Sequence, residues 1–465
     1  MIHSNSKYKQ LAEMVISQIH TGKWLVGEKM ISLRRFSKQF SVSMTTAIRC
    51  YDYLQELGYL SSKLKSGFYI KKPFTRVHSP LFPQFNSQIS KGLKPYTPQY
   101  TDSKSPFSIA QLSPELSDIH LLQKIMYRVI RLEHDHHYSY GNPQGSDRLR
   151  ENLSHHFSSQ GFPINSDEIV ITNGCIEAIT LSLEVLTSPN DVIAVSSPCF
   201  NGILDLLALL QRKVIEIPST PEGLDLVQLE HHFKKHTINT CIFTSSHQNP
   251  TGHSLSIDQK KKLAQLANTY HIPIIEDDVY GELSHNAPYQ LPIKFWDKNG
   301  WVLWCTSISK TLSAGLRLGW CLPGRFQEEF LKHRYLRTLG VNVPIQEGLA
   351  EYIARGHYAT HLSRVNKRLY QNLHHYNDYL ALHLPKNTRI YQPSGGMVLW
   401  IDIPTISSIT LANETEKMGI AIRSGTCFSH QEFYKSHFRL NFGWPLTERI
   451  RAKLDSLVSC INHLV

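Results

Sequence analysis

Five short runs rich in β-branched and aromatic residues, separated by stretches of helical period, constrain this chain more than any other feature. They are EIVIT (168–172), DVIAV (191–195), TCIFTS (240–245), PIIED (273–277) and WVLWC (301–305). Such runs read as buried strands, and the amphipathic stretches between them supply covering helices, so the alternation predicts a mainly parallel α/β sheet. At 465 residues the chain exceeds one ordinary domain and can bury a large core. No run of about 18 apolar residues occurs, which excludes a membrane-spanning helix. The start, MIHSNSKYKQ, lacks the apolar core of a signal peptide. Cys50, Cys175, Cys199, Cys241, Cys305, Cys321, Cys427 and Cys460 stand far apart with no metal-ligand spacing, which suits a reducing cytoplasm.

The run SISKTLSAGLRLGW (307–320) carries the clearest chemistry. A lysine that forms an imine must be able to shed its proton. A phosphate held beside that imine needs hydroxyls, an arginine fork and close backbone approach. Lys310 has Ser307 and Ser309 before it, and Gly315, Arg317 and Gly319 after it. Read alone, the run has a plainer alternative, a surface loop with a solvated lysine; five further segments argue for the site. ITNGCIEAITLSL reads as strand, glycine turn and helix, whose N–H groups at Gly174, Cys175 and Ile176 make an anion site. SSPCFNG sets Phe200 after a proline turn, and SSHQNPTG sets Asn249 between strand and helix. IIEDDVYGEL ends an apolar strand on Asp277 with Tyr280 three residues on. HFRLNFG carries Arg439 on a short apolar strand, where a buried arginine needs a partner; an internal ion pair is the plainer alternative.

The lysine run resembles the cofactor motif of fold-type I pyridoxal 5'-phosphate enzymes, the aspartate aminotransferase superfamily, and the likeness extends over residues 108–465. The resemblance implies that Lys310 carries the cofactor as an imine, with Ser307 and Arg317 on its phosphate and Ser309 among the residues that bind it. It implies that Phe200 stacks on the pyridine ring, and that Asn249 and Tyr280 bond the ring's 3'-oxygen. Asp277 would face the pyridine nitrogen and keep it protonated. Arg439 would clamp a substrate carboxylate. Tyr140, in YGNPQG, matches a tyrosine that reaches the phosphate of a neighbouring subunit, which implies a homodimer. Gly395 and Gly396 of PSGGMVLW resemble the glycine pair before a small-domain strand. EHDHH (133–137) reads as a solvated helix end and not as a metal site; no metal is expected.

Residues 1–75 hold nine lysines and three arginines against four acids, an excess of +8 out of +11 for the chain. That is the charge footprint of a nucleic-acid-binding head. Residues 8–20 read as an amphipathic helix. Ser32 precedes a short helix (LRRFSKQF), Ser41-Val42 makes a tight turn, and Ser43 caps a longer helix ended by Gly58. Two helices so joined are the plan of a helix-turn-helix, and YLSSKLKSGFYIKK adds two strands about a basic tip. The order resembles the winged helix of GntR-type regulators: Ser32 and Arg34 match one signature, Ser43 and Thr46 another, while Met44 stands where that family has arginine. Arg34, Arg35, Ser43, Thr45, Thr46, Arg49, Lys63 and Lys65 are the candidate DNA contacts. The alternative is a helical protein-interaction domain. Residues 76–107, punctuated by prolines, read as a semi-extended tether.

A winged helix tethered to an aminotransferase-like body is the arrangement of MocR-type regulators, a branch of the GntR family. The resemblance implies a transcription regulator that binds a double-stranded DNA operator and senses an amino compound, or pyridoxal 5'-phosphate itself, at Lys310. The competing reading is a working aminotransferase whose head is a regulatory appendage.

Overall fold

The structure is a computed structural model, and it describes residues 7–63, 66–72, 78–90, 92–93, 105–132, 140–285, 287–431 and 433–465. The chain divides into two compact units: Met1–Arg76 with Tyr370–His383, and Val77–Leu369 with Leu384–Val465.

The first unit is a winged helix. It contains α1 (Lys7–His20), α2 (Leu33–Gln39) and α3 (Met44–Glu56), followed by β1 (Leu60–Lys63) and β2 (Gly67–Ile70). Leu11, Val15 and Ile19 recur at helical spacing along α1 and are buried with Phe36, Tyr51 and Leu54. Full burial of each such side chain stabilises by about 1.5–3 kcal/mol. Ser32 caps α2 and Ser43 caps α3, each hydroxyl accepting from the backbone N–H three residues on. Ser41, between the two helices, takes a left-handed φ of 50°, and the Tyr51 hydroxyl donates to the Ile31 carbonyl at 2.7 Å. β1 and β2 pair antiparallel from Leu60↔Ile70 to Lys63↔Gly67, forming the wing. Tyr370–His383 belongs to this unit too, a membership the sequence did not signal. Gln371 there donates to the Val26 carbonyl at 3.0 Å, and Lys72 pairs with Asp378.

The second unit is built on an eight-stranded sheet. Its strands are β3 (Val170–Thr172), β4 (Val192–Ser197), β5 (Lys213–Thr220), β6 (Gly223–Leu224), β7 (Thr240–Phe243), β8 (Ile274–Asp277), β9 (Val302–Ser307) and β10 (Gly319–Leu322). They lie in the order β3-β10-β9-β8-β7-β4-β5-β6. The pairs from β5 through β4, β7 and β8 to β9 are parallel; β10 runs antiparallel between β9 and β3, and the two-residue β6 is antiparallel to β5. Both faces are covered, as a parallel sheet requires. On one face Trp304 and Trp320 pack with Leu153 and Phe157 of α5 (Asp147–Ser159) and with α4 (Ile119–Leu132), and further along the same face Ile215 and Ile274 pack with Phe233 and Leu263. Ile242, Ile275, Leu303 and Cys305 point to the opposite face, where Ser182 of the helix Cys175–Leu186 lies 3.8 Å from Cys305. This is the fold-type I layout.

A smaller antiparallel sheet follows, made of β11 (Arg389–Ile390), β12 (Val398–Asp402), β13 (Arg423–Ser424) and β14 (His437–Asn441) in the order β11-β12-β14-β13. Residues 78–90, part of the stretch read as a semi-extended tether, lie bonded along this unit. Ile390 N–H donates to His78 at 2.8 Å, and Ser90 N–H donates to Val214 at 2.8 Å. Phe85 packs on Phe433 with centroids 4.8 Å apart, and Phe82 joins the cluster of Trp400, Phe428 and Tyr434. The aromatic contacts dock the segment while it keeps the non-helical character that the prolines suggest. Among the described residues no helix is long and apolar enough to cross a membrane.

Candidate functional site

The C-terminal ends of the parallel strands converge on one cavity, the usual place for a ligand in such sheets. It is lined by Cys175, Ile176, Phe200, Thr244, Asn249, Asp277, Val279, Tyr280, Ser307, Ser309, Lys310 and Arg317. Each strand delivers its residue by ending: β4 before Phe200, β7 before Thr244 and Asn249, β8 on Asp277, β9 on Ser307. Behind β3, Gly174 opens α6 (Cys175–Leu186) with φ 90° and no side-chain cap on the first N–H groups. A Cβ at Gly174 would stand 2.6 Å from Arg317 Nη2, so only glycine fits this cradle without displacing the guanidinium. Glu177, in the first turn, turns back and accepts from the Asn173 N–H at 2.5 Å. Arg317 donates to Ser309 Oγ at 3.4 Å and to the Asn173 carbonyl at 3.2 Å.

Lys310 Nζ donates to the Ala110 carbonyl at 2.7 Å and stands 5.9 Å from the centre of the Tyr280 ring. Desolvation, with the charges of Arg439 and Arg317, lowers its pKa from 10.5 to about 8, against the opposing pull of Asp277. Asp277 is buried, which raises its pKa; Cys175 Sγ donates to its Oδ1 at 3.4 Å. Tyr280 is also pushed up by burial, and its hydroxyl accepts from Asn249 Nδ2 at 3.3 Å. Arg439, 2% exposed, donates from Nη1 to Asn249 Oδ1 at 2.9 Å and from Nη2 to the Ser108 carbonyl. Its Nε has no hydrogen-bond partner among the described residues, and burial brings its pKa down to about 10. The guanidinium therefore bonds to an amide and a carbonyl, with no carboxylate against it among the described residues.

The structure brings together most of the residues read from the sequence. Gly174 and Arg439 stand just behind the lining, against Arg317 and Asn249, while Tyr140 is 85% exposed and does not line its own chain's cavity. Asp278 points elsewhere: its Oδ2 accepts from Trp304 Nε1 at 2.9 Å and from Tyr289 at 3.1 Å. Thr244 and Val279 line the cavity without having been singled out, although each adjoins a motif that was. Ser108 and Ala110 supply carbonyls to Arg439 and Lys310 from a segment with no motif of its own. His247, also missed, is buried with φ 50° and has Nε2 2.9 Å from Ser284 Oγ. A Cβ on Gly395 would fall 2.2 Å from its ring, which explains one glycine of the pair. Burial takes this imidazole down to about 3, so it is neutral.

On the first unit, Arg34, Arg35, Thr45, Arg49 and Lys63 are exposed. Ser43 Oγ accepts from Thr46 N–H at 3.1 Å and lies 2.8 Å from Thr46 Oγ1, so both hydroxyls are engaged in the cap. Lys63 Nζ sits 4.5 Å from the Tyr69 ring centre. Lys65 and the EHDHH run lie outside the described residues.

A winged helix together with a fold-type I body and a lysine-centred cavity defines a class, and comparison with known proteins agrees. Residues 112–452 match the aminotransferase class I and II family. The chain is 31% identical to the uncharacterized HTH-type transcriptional regulator YdcR of Escherichia coli, over 98% of this chain and 99% of the relative. It is 30% identical to YjiR of the same organism, an uncharacterized HTH-type transcriptional regulator, over 97% and 98%. Pyrococcus horikoshii kynurenine aminotransferase, solved with PMP, matches at 25% identity and a TM-score of 0.71, covering 77% of this chain and 92% of that one. The chain belongs to the aminotransferase class I and II family, and within it to the MocR-type regulators that carry a DNA-binding winged helix.

Proposed function

We propose that the chain is a transcription regulator that binds double-stranded DNA through its winged helix, holds pyridoxal 5'-phosphate at Lys310 and responds to an amino compound bearing a carboxylate. The observation that carries this reading is a lysine amine drawn down to about 8 in the same cavity as Asp277, Tyr280 and Asn249. The donor set suits the cofactor: the uncapped start of α6, the Gly174 cradle, two serines and Arg317 face one place, as a phosphate dianion needs. When bound, the cofactor supplies an aldehyde that condenses with amines and a ring that withdraws electrons.

The chain's own groups do the rest. Cys175 and Ile176 N–H, Ser307, Ser309 and Arg317 would hold the phosphate, and Phe200 would cover the ring. Asp277 would keep a proton on the ring nitrogen, and Asn249 and Tyr280 would orient the ring's 3'-oxygen. Lys310 would present its amine to the cofactor's aldehyde, and Arg439 would receive the carboxylate of an incoming amine. A ligand regulates only if the two arrangements of the protein bind it with different affinity; about 1.4 kcal/mol of difference shifts their ratio tenfold. The exposure of Tyr140 supports a homodimer in which that hydroxyl serves a neighbouring site. An absorption titration with candidate amines, run beside a DNA-binding titration, tests the reading. An amine that changes the lysine-bound spectrum and also DNA affinity supports it; spectral change with DNA affinity constant for every amine contradicts it.

A second reading, transamination, is favoured by the assembly of Asn249, Asp277, Tyr280 and Lys310 with Arg439 bonded to the first. Turnover with an amino donor and a 2-oxo acid, compared with Lys310→Ala, tests it. Equal rates for the two proteins would leave regulation alone standing.

A further inference from the structure

We infer that the recognition helix reads DNA through thymine methyl groups, with Met44 and Ile48 making the contacts in the major groove. The inference rests on the DNA-binding reading above and names the chemistry of the bases read.

The outer face of α3 presents Ser43, Met44, Thr45, Ile48, Arg49 and Asp52, while Ala47, Cys50, Tyr51 and Leu54 face the core. Met44 is 40% exposed and Ile48 42% exposed. They are four residues apart, so they stand one above the other on a single stripe. A lone exposed apolar side chain needs no explanation. Two in register, on the first two turns of the helix that faces the groove, call for an apolar counterpart.

The major groove has one such feature in its base code, the C5 methyl of thymine. Guanine is read by a bidentate arginine or lysine, and neither Met44 nor Ile48 donates a hydrogen bond. The hydroxyls of Ser43 and Thr46 are held in the cap, 2.8 Å apart, which leaves Thr45 and Arg49 as the polar readers. Charge complementarity fixes the occupant as DNA: the same unit exposes Arg34 and Arg35 on α2 and Lys63 on β1, which suit phosphate contacts. Exposed Asp52, one turn beyond Ile48, is disfavoured near phosphates, so insertion is confined to the first two turns.

The test uses the full chain loaded with its cofactor and duplexes that it selects from a random-sequence pool. Each selected duplex is remade with deoxyuridine in place of thymidine, which deletes only the methyl. Loss of a buried methyl weakens binding about fourfold per contacted base. Met44→Ala and Ile48→Ala each remove part of that difference, and Met44→Arg moves the selected sequence toward guanine. Both positions are exposed, so these variants keep the fold. Selected sites bound equally well with either base overturn this inference and leave DNA binding intact. Failure to enrich any sequence, with no salt-dependent affinity for duplex, overturns the DNA-binding reading and this inference together.

Discussion

Arg439 Nη1 donates to Asn249 Oδ1 across 2.9 Å, which joins the last strand of the small sheet to the turn after β7 in the large one. Since Asn249 also donates to Tyr280, one amide orients both a carboxylate receptor and a phenol. Arg439→Gln is expected to keep cofactor binding and to lose preference for amines bearing a carboxylate. A charge-assisted hydrogen bond contributes about 1.5–3 kcal/mol, so affinity for an amino acid falls by about 10- to 150-fold. Its decarboxylated amine binds nearly as before. Spectral titration with such a pair measures this, and an equal loss for both would place Arg439 in an internal role.

Lys310 titrates at about 8, below its ordinary 10.5, so the neutral amine that attacks an aldehyde accumulates as pH rises through 8. Capture of free cofactor by the cofactor-free protein should therefore accelerate with pH and level off above that midpoint. Arg439 pushes the lysine down and Asp277 holds it up. Arg439→Gln is expected to raise the midpoint, and Asp277→Asn to lower it. Stopped-flow absorbance across pH 6 to 10 (about two units each side of the midpoint) checks both signs.

The adjacent carboxylates Asp277 and Asp278 should separate by experiment. Asp278→Ala strands the buried Trp304 donor, at a cost of about 1–3 kcal/mol, and removes the partner of the half-buried Tyr289 hydroxyl. Its melting temperature should fall while the spectrum of the bound cofactor stays normal. Asp277→Ala should melt close to the parent and show an altered spectrum and weakened cofactor retention. Calorimetry paired with absorbance distinguishes the two.

Much of this was legible in the sequence because the chemistry is local. Lys310, Ser307, Ser309 and Arg317 sit in one run, and the strands that deliver Phe200, Asn249 and Asp277 are marked by their β-rich text. The antiparallel β10 and the long β5 were not singled out, and β10 begins in the last two residues of the lysine run, whose chemistry drew the reading toward a turn. Ser108, Ala110 and His247 act through backbone carbonyls or a buried ring against glycine, and neither leaves a residue-type pattern. The docking of residues 78–90 depends on Phe82 and Phe85 finding aromatic partners more than 300 positions away, which no local period reports. Tyr370–His383 joins the first unit by the same kind of long-range packing.

Ser43 closes the first turn of the recognition helix with its hydroxyl 3.1 Å from Thr46 N–H. Ser43→Ala should destabilise the winged helix by about 1 kcal/mol, seen as faster amide exchange along α3. DNA affinity should drop across all sequences alike, because the hydroxyl orders the helix and does not read bases. Ser43→Asp restores the cap and should recover the exchange protection.

Borohydride reduction of the cofactor-loaded protein, followed by peptide mass spectrometry, is the most direct test of the covalent site. A stable pyridoxyl adduct is expected on the peptide containing Lys310 and nowhere else, and Lys310→Ala should give none. An adduct on any other lysine, or protein that remains colourless and unlabelled after saturation with pyridoxal 5'-phosphate, would contradict it.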